Sequence, residues 1–367
     1  NYLAKNRQYL NGVEFKLGNL GLFSKQFEIQ DEQPQVFAIS PNSRLLISGW
    51  NGDVSIASSA VTQATAKIIK RIRANSQEEA NQFAKNLHLQ ITPAGKDVQF
   101  SAKSDETTRD FGLSLLIELP TQLIANVEAN KVTGSVALRD LRGDQVIRDS
   151  RQIEVRNTVG KLTIENPNGS VELSSIQGEV NLANVRSNLE MREIKGAINF
   201  DARNGNVTIE NSTGPVQARL NDVRLTINEL AKGLQPASGQ SSNNPPVNAS
   251  LILKLTEVNN SRINLQEIKG AIAISAERSR IEAENIIGDL TVKNSSERVQ
   301  VNRINGALKV AAEALGYVRS EAESINKLRA KPDVDHMPAD HDRVVRGRCD
   351  AFDAKTNEKI NNAKAGL

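Results

Sequence analysis

The 367-residue chain has few residues of the kinds that usually carry chemistry. It contains one Cys (Cys349), three His (His88, His336 and His341), one Trp and only 4% aromatic residues. A single thiol excludes an intrachain disulfide, a zinc site built from several Cys and an iron–sulfur cluster. Few His and aromatic residues leave little material for acid–base catalysis or for stacking a ligand. We therefore predict that the chain is not an enzyme and needs no cofactor.

The chain also lacks long hydrophobic runs and a strong excess of one charge. A membrane-spanning helix needs about 18 apolar residues, whereas the run Leu113–Leu119 contains Glu118 and precedes Pro120. The 46 Lys and Arg residues against 43 Asp and Glu give a net charge of +3, which argues against nucleic acid as the partner. Because the chain begins with Asn1 rather than Met, we expect membrane association only through an anchor that preceded this residue.

A nine-residue repeat is the strongest pattern in the sequence. Each unit alternates apolar and polar residues over about five positions, which is typical of a half-buried strand, and then turns at Gly, Asn or Ser. A further apolar residue follows in alternate units, although Val185 interrupts this alternation; its occurrences are Ile176, Ile194, Ile268, Ile286 and Ile304. Clear units begin at Gly160, Gly169, Gly178, Ser187, Gly196 and Gly205, and later at Ser261, Gly270, Ser279, Gly288 and Gly306. The full repeat is predicted to have 18 residues and two strands.

Energetics indicate how such repeats must assemble. One 18-residue coil that buries about five aliphatic side chains gains roughly 2 kcal/mol for each of them. Ordering the same coil costs about 1.5 kcal/mol per residue, so a single coil cannot fold alone. Stacked coils pair their backbone groups with the coils above and below and share one aliphatic core. The predicted fold is therefore all-β, a β-solenoid or flattened β-roll.

The repeat defines one large domain over residues 36–310, which follows an irregular lead-in over 1–35. Ser76-Gln-Glu-Glu79 is a capping box, and apolar residues at helical spacing follow it, so we predict a short helix over 77–87. Other strands before the repeats are predicted at Val36–Ser40, Arg44–Ile47, Asp53–Ile56, Ala64–Arg73, His88–Ile91, Asp97–Ala102 and Leu113–Leu119.

Three later segments depart from the repeat. Residues 231–250 are rich in Ser, Asn, Gly and Pro, which predicts a flexible insertion between coils; an interdomain linker is the alternative. Apolar residues spaced 4, 3, 4 and 3 apart predict an amphipathic helix over 311–330 that caps the last coil or docks on a partner. Residues 331–367 form a polar tail.

Two clusters are candidate sites. Lys67, Lys70, Arg71 and Arg73 lie on one predicted strand and could contact an anionic polymer, lipid headgroups or nucleic acid, although a solvated strand face balanced by acidic neighbours is the favoured interpretation. In the tail, His336, Asp340 and His341 are candidate metal ligands. Because Pro332 and Pro338 favour an extended loop, we predict no preformed metal site.

Two alternatives for a repeat of this length are disfavoured. A calcium-binding β-roll carries a recurring Asp in its corners, whereas the sixth positions here hold Glu165, Ser174, Ala183, Arg192 and Asp201. A glycosidase gathers carboxylates into a cleft, but the glutamates of the repeat fall at outward positions expected of a solvated face.

Residues 37–310 resemble the bacterial putative-adhesin family of β-strand-repeat cell-envelope proteins, a domain of unknown function. The resemblance depends on Leu45-Leu-Ile-Ser-Gly-Trp-Asn51, the helix-bearing segment 74–85, Leu119-Pro120, and Gly-x-Val-x-Leu units such as Gly169–Leu173. It implies an extracytoplasmic, often membrane-anchored protein and brings no catalytic residues.

These patterns together predict a non-enzymatic scaffold or adhesin-like interaction protein of the cell envelope or cell surface. Its expected partner is a protein or an envelope polymer, and it could be a subunit of a larger extracytoplasmic assembly. Two alternatives stay open, namely a β-helical carbohydrate-processing enzyme and a regulatory envelope-stress sensor.

Overall fold

A computed structural model describes residues 25–30, 33–104, 111–231, 251–295 and 298–312. Residues 232–250 of the predicted insertion, most of the predicted carboxy-terminal helix and the polar tail lie outside these residues. Ala231 is buried and donates its N–H to Ser212 O at 2.7 Å, so it belongs to the solenoid and not to the insertion. The described residues form 25 strands and the helix α1 (Gln77–Ala84).

The strands that precede the repeats are β1 (Lys25–Gln30), β2 (Gln35–Phe37), β3 (Arg44–Ser48), β4 (Val54–Ser59), β5 (Ala64–Ala74), β6 (Leu87–Ala94), β7 (Asp97–Ser104) and β8 (Phe111–Pro120). The repeat strands are β9 (Asn126–Asn130), β10 (Ser135–Arg139), β11 (Gln145–Arg148), β12 (Gln152–Val159), β13 (Leu162–Glu165), β14 (Val171–Gln177), β15 (Val180–Val185), β16 (Leu189–Arg192), β17 (Ile198–Ser212), β18 (Val216–Leu230), β19 (Leu251–Asn259), β20 (Arg262–Lys269), β21 (Ala271–Glu277), β22 (Arg280–Ile287), β23 (Leu290–Asn294), β24 (Val299–Asn305) and β25 (Leu308–Ala312).

The repeat strands stack as two parallel ladders, as predicted. Sheet 1 contains, in order, β3, β9, β11, β13, β15, the first halves of β17 and β18, and then β19, β21, β23 and β25. Sheet 2 contains β4, β10, β12, β14, β16, the second halves of β17 and β18, and then β20, β22 and β24. The result is an all-β solenoid of about nine turns with coils of about 18 residues.

Strand register places the aliphatic side chains in ladders inside the solenoid. In sheet 1, Leu162 pairs with Val180, which is followed by Ile198 and Val216, each 18 residues further along the chain. All four are fully buried, and polar residues alternate with them on the outer face. Because every inward side chain contacts the same position of the next coil, the interior excludes water without needing large aromatic residues.

The corner that follows sheet 2 explains the extra apolar residue of alternate units. Asn157 and Ser175 have φ angles of +52° and +56° there, in the left-handed region that Asn adopts more readily than most residues. The chain then continues for two residues in a short third ladder, in which Thr158 pairs with Ile176. Ile176 and its counterpart Ile194 are completely buried. Val185, which interrupts the alternation, is also buried, at the end of β15.

The amino-terminal end of the solenoid changes from parallel to antiparallel pairing. Strand β8 continues sheet 2 beside β4, and β5 pairs antiparallel with β8; β7 continues sheet 1 beside β3, and β6 pairs antiparallel with β7. Strands β1 and β2 pair antiparallel with β5. The lead-in over 1–35 is therefore not irregular throughout, because Phe27 and Ile29 of β1 pack against the core.

Helix α1 lies at this end, where the capping box predicts it. Ser76 Oγ accepts a hydrogen bond from Glu79 N at 3.2 Å, and Glu79 Oε2 accepts one from Asn75 N at 3.0 Å. Ala80, Phe83 and Ala84 are buried in the core. The helix ends three residues before the predicted position 87, because Leu87 already begins β6 and pairs with β7.

The other end of the described region corrects one boundary. Strand β25 includes Ala311 and Ala312, which pair with Lys293 and Asn294, so these two residues do not begin a helix. On either side of residues 232–250, the first half of β18 pairs with β19 and its second half with β20.

Candidate functional site

A groove of about 530 Å³ lies on the outer face of sheet 1. It crosses β13, β15, β17, β18 and β19. Its polar lining consists of Thr163, Glu165, Asn181, Asn184, Asn199, Asp201, Gln217, Arg219 and Thr256. These side chains face outward because their neighbours along each strand face the core.

The groove lies where the coils are irregular. Register shifts between Leu182 and Val185, where β15 pairs with β17, and again between Arg219 and Asn221, where β18 pairs with β19. Such shifts bend a strand and re-aim its side chains. Ala183 adds a gap because its small side chain stands between Glu165 and Asp201 on the outer surface. Two bulges and one small residue thus form the depression, and the register of sheet 1 shifts again where β19 pairs with β21.

A row of amides runs along the groove at the 18-residue spacing. Asn199 Nδ2 donates to Asn181 Oδ1 at 2.9 Å, and Asn181 Nδ2 donates to Glu179 Oε1 at 3.0 Å. The hydrogen bond from Asn181 and the nearby Lys161 ammonium, whose Nζ lies 3.2 Å from Glu179 Oε2, lower the pKa of Glu179. The carboxylate is therefore charged at neutral pH and fixes the direction of the amide row.

Three side chains of the lining have no hydrogen-bond partner among the described residues. Thr163, Gln217 and Thr256 form no side-chain hydrogen bond with any described residue. Asp201 and Arg219 approach each other at 3.6 Å, which is a loose ion pair. Hydroxyl, amide, carboxylate and guanidinium groups therefore face solvent together, and they can exchange water for the polar groups of a ligand.

No motif in the sequence marks these residues as a site. Asn181, Asn199 and Gln217 are outward positions of the repeat, and their shared 18-residue spacing is the signal that could have grouped them. The bulges that turn this row into a groove have no mark in the sequence pattern.

The carboxyl groups of the described region whose pKa is clearly shifted all have it lowered; they are Asp53, Glu78, Asp97 and Glu179. Burial alone would raise the pKa of Asp53, but hydrogen bonds from Ser135 and the Arg71 guanidinium outweigh it and lower the pKa. A bond from Arg44 N and contact with its guanidinium lower the pKa of Asp97. A carboxyl group with a lowered pKa is ionised at neutral pH. It can therefore take part in an ion pair but has no proton to give as a general acid.

The cationic residues predicted on β5 do not form one patch. Lys70 lies among the buried residues of β5, is 7% exposed and donates to Ala84 O at 3.0 Å. Lys67, Arg71 and Arg73 occupy the opposite face of the strand because side chains alternate along it. Arg71 is paired with Asp53 at 2.7 Å. The arrangement agrees with a strand face balanced by acidic neighbours.

The candidate metal ligands His336, Asp340 and His341 lie outside the described residues. Within the described ranges, no group of three or more His, Cys, Asp or Glu side chains could hold a metal ion. The one helix found in those ranges is too short and too polar to cross a membrane.

Comparisons with known proteins give little further information. No protein family and no curated protein matches the chain. Among solved structures, the chain is similar to one described as a putative cell adhesion protein from Clostridium sporogenes, with 8% sequence identity and a TM-score of 0.18. The alignment covers 79% of this chain and 99% of that one.

Proposed function

We propose that the chain is a non-enzymatic, adhesin-like interaction protein of the cell envelope or cell surface, and that it binds its partner through the groove of sheet 1. The observation that carries this proposal is the amide row with unpaired hydroxyl and amide groups beside it. A row of this kind binds a polar, extended partner, such as an envelope polymer or a protein segment.

Rigidity supports the same function. Each groove strand pairs on both sides with strands of neighbouring coils, and the side chains beneath it are buried. The groove residues are therefore held in place before a partner arrives, which lowers the entropy lost on binding.

The test compares binding to isolated cell-envelope fractions by the native chain and by the double variant Asn199→Ala and Gln217→Ala. Each lost hydrogen bond is worth about 0.5–1.5 kcal/mol. We therefore expect the variant to bind more weakly, with a dissociation constant about tenfold larger than that of the native chain. The matched control is Thr208→Ala with Thr291→Ala, two outward threonines that lie outside the groove lining, and this variant should bind like the native chain.

Two results would contradict the proposal. Equal binding by the groove variant and the native chain would show that the groove is not the site. Release of reducing ends from an envelope glycan by the native chain, abolished in Asp201→Asn, would instead establish a carbohydrate-processing enzyme.

A further inference from the structure

A row of four arginines follows the solenoid axis on the outer face of sheet 2. Arg224 of β18 pairs in register with Arg262 of β20, which pairs with Arg280 of β22. Arg298 comes next, because Ile281 N donates to Arg298 O at 3.0 Å and Ile281 pairs with Val299. Neighbouring strands are about 4.8 Å apart, so the row extends over roughly 14 Å.

The row does not stabilise the coils in the way that other arginines do. Arg224 and Arg262 have no carboxylate within 4.0 Å among the described residues. Arg280 pairs with Glu282 of its own strand, and Arg298 donates to Gln300 at 2.9 Å. Among the described residues, no ion pair therefore links Arg224, Arg262 or Arg280 to the coil beside it. Like charges directly opposite each other on adjacent strands destabilise a sheet.

Residues 126–212 show the ordinary arrangement. Arg139 pairs with Glu154 at 2.9 Å, Arg156 with Glu172 at 2.8 Å, and Arg192 with Glu210 at 3.1 Å, each pair joining adjacent coils. Arg224, Arg262 and Arg280 have no such partner on a neighbouring coil among the described residues. Repulsion between them calls for a negatively charged partner from outside the chain.

We propose that Arg224, Arg262, Arg280 and Arg298 form a second binding site, distinct from the groove, for a linear acidic polysaccharide. A guanidinium binds a carboxylate through two parallel hydrogen bonds and is weakly hydrated, which suits it to a polymer of carboxylates. Arginines that repeat along one line match a ligand whose charges also repeat along a line.

The side chains next to the row favour a sugar polymer over a nucleic acid. The next outward positions on the same strands are Thr226, Asn264, Glu282 and Gln300. Hydroxyl and amide groups bond readily to sugar hydroxyls. Single-stranded nucleic acid is bound by stacking its bases on aromatic side chains, and β18, β20, β22 and β24 contain none.

The experiment measures binding of the full chain to polygalacturonate, with fully methyl-esterified polygalacturonate and single-stranded oligothymidylate as comparison ligands. We expect saturable binding to polygalacturonate that weakens as salt increases, and at least tenfold weaker binding of the other two. The variant Arg224→Gln with Arg262→Gln should bind polygalacturonate at least tenfold more weakly. The variant Arg224→Lys with Arg262→Lys keeps the charge but loses the planar guanidinium. Its affinity for polygalacturonate should lie between that of the Gln double variant and that of the native chain.

The matched control is Arg139→Gln with Arg156→Gln, which removes the same charge from the ion-paired part of sheet 2. This variant should bind polygalacturonate within twofold of the native chain. Equal losses in both double variants would show attraction to net charge alone and would overturn the proposal. Tighter binding of oligothymidylate, or no binding of polygalacturonate, would also overturn it. The groove variant Asn199→Ala with Gln217→Ala should keep its binding of polygalacturonate, so the two proposals can fail separately.

Discussion

Two regions of one solenoid, residues 126–212 and residues 216–312, have the same interior but different outer faces. Inside, both contain ladders of Ile, Leu and Val at the 18-residue spacing. Outside, arginines and glutamates of adjacent coils form several ion pairs in the first region, whereas in the second region arginines stack on arginines and Arg303 pairs with Glu284. The interior therefore specifies the coil, and the outward positions can differ from coil to coil.

The largest effect should come from an inward position, and it should be equal in both regions. Ile198→Asp and Ile272→Asp each place an unpaired carboxylate in the aliphatic ladder, at positions that are at most 2% exposed. Such a change costs more than about 4 kcal/mol, so we expect loss of cooperative thermal unfolding measured by circular dichroism.

The control for this prediction is Asn199→Asp, on the outer face beside Ile198, which loses the hydrogen bond to Asn181 and should lower stability by only about 0.5–1.5 kcal/mol. Similar melts for Asn199→Asp and Ile198→Asp would show that the strand register is wrong. A large effect in one region alone would show that the two interiors differ.

Stacked glycines give the next largest effect. A Cβ on Gly178 would lie 2.0 Å from Gly160 O, and one on Gly288 would lie 2.3 Å from Gly270 O. Their φ angles, +154° and +140°, also disfavour a side chain. Gly178→Ala and Gly288→Ala should each lower the free energy of unfolding by about 1–3 kcal/mol. The control is Gly112→Ala, where a Cβ meets nothing within 4 Å. Urea titrations measure the unfolding midpoint of each variant. Equal midpoints for the three variants would contradict the close approach of the coils.

Acid should destabilise residues 44–180 more than residues 253–295. The groups with lowered pKa lie between Asp53 and Glu179. A carboxyl group with a lowered pKa stabilises the folded state above its ordinary pKa, near 4, and this stabilisation is lost as the pH falls towards the folded value. Hydrogen exchange at pH 3 and pH 7 should show a greater loss of protection in residues 44–180 than in residues 253–295.

The variant Asp97→Asn sharpens this prediction. It removes the carboxylate that accepts a hydrogen bond from Arg44 N at 2.9 Å. The difference between pH 7 and pH 3 in the stability of residues 44–48 should therefore become smaller. An unchanged difference would mean that other groups control the acid response there.

The smallest effect concerns the two kinds of outward arginine. Arg156→Gln breaks ion pairs with Glu154 and Glu172, so it should lower stability by about 0.2–1 kcal/mol. Arg262→Gln removes repulsion from Arg224 and Arg280 and should leave stability equal or slightly higher. Chemical denaturation at low salt measures both changes, and a clear loss of stability in Arg262→Gln would assign a structural role to the row.

The sequence predicts the coil well because the packing of a solenoid repeats. The strands of the clear repeat units are recognisable by alternation, and the extra apolar residues, such as Ile176 and Ile194, mark the third ladder. The sequence also predicts helix α1 through the bonds of Ser76 and Glu79. These features depend on neighbours along the chain or on a regular period.

Features that depend on contacts between irregular coils could not be predicted. The groove requires two shifts of register, and a polarity pattern does not show on which coil an extra residue is placed. Residues 231–250 place Arg262 38 positions after Arg224, so Arg224 does not share the 18-residue spacing that joins Arg262, Arg280 and Arg298 in the sequence. On β5, the basic composition suggested a patch, whereas alternation divides its cations between two faces.

The constant offset of 18 residues between paired positions has a consequence for changes in length. Removing residues 171–188 would delete one whole coil, and Ile153 and Leu162 would then meet Leu189 and Ile198, which already occupy equivalent positions in the ladders. Removing nine residues instead would place strands of sheet 1 opposite strands of sheet 2. The molecule can therefore be lengthened or shortened in whole coils, each changing the axial length by about 4.8 Å, while the spacing within each outer row stays the same.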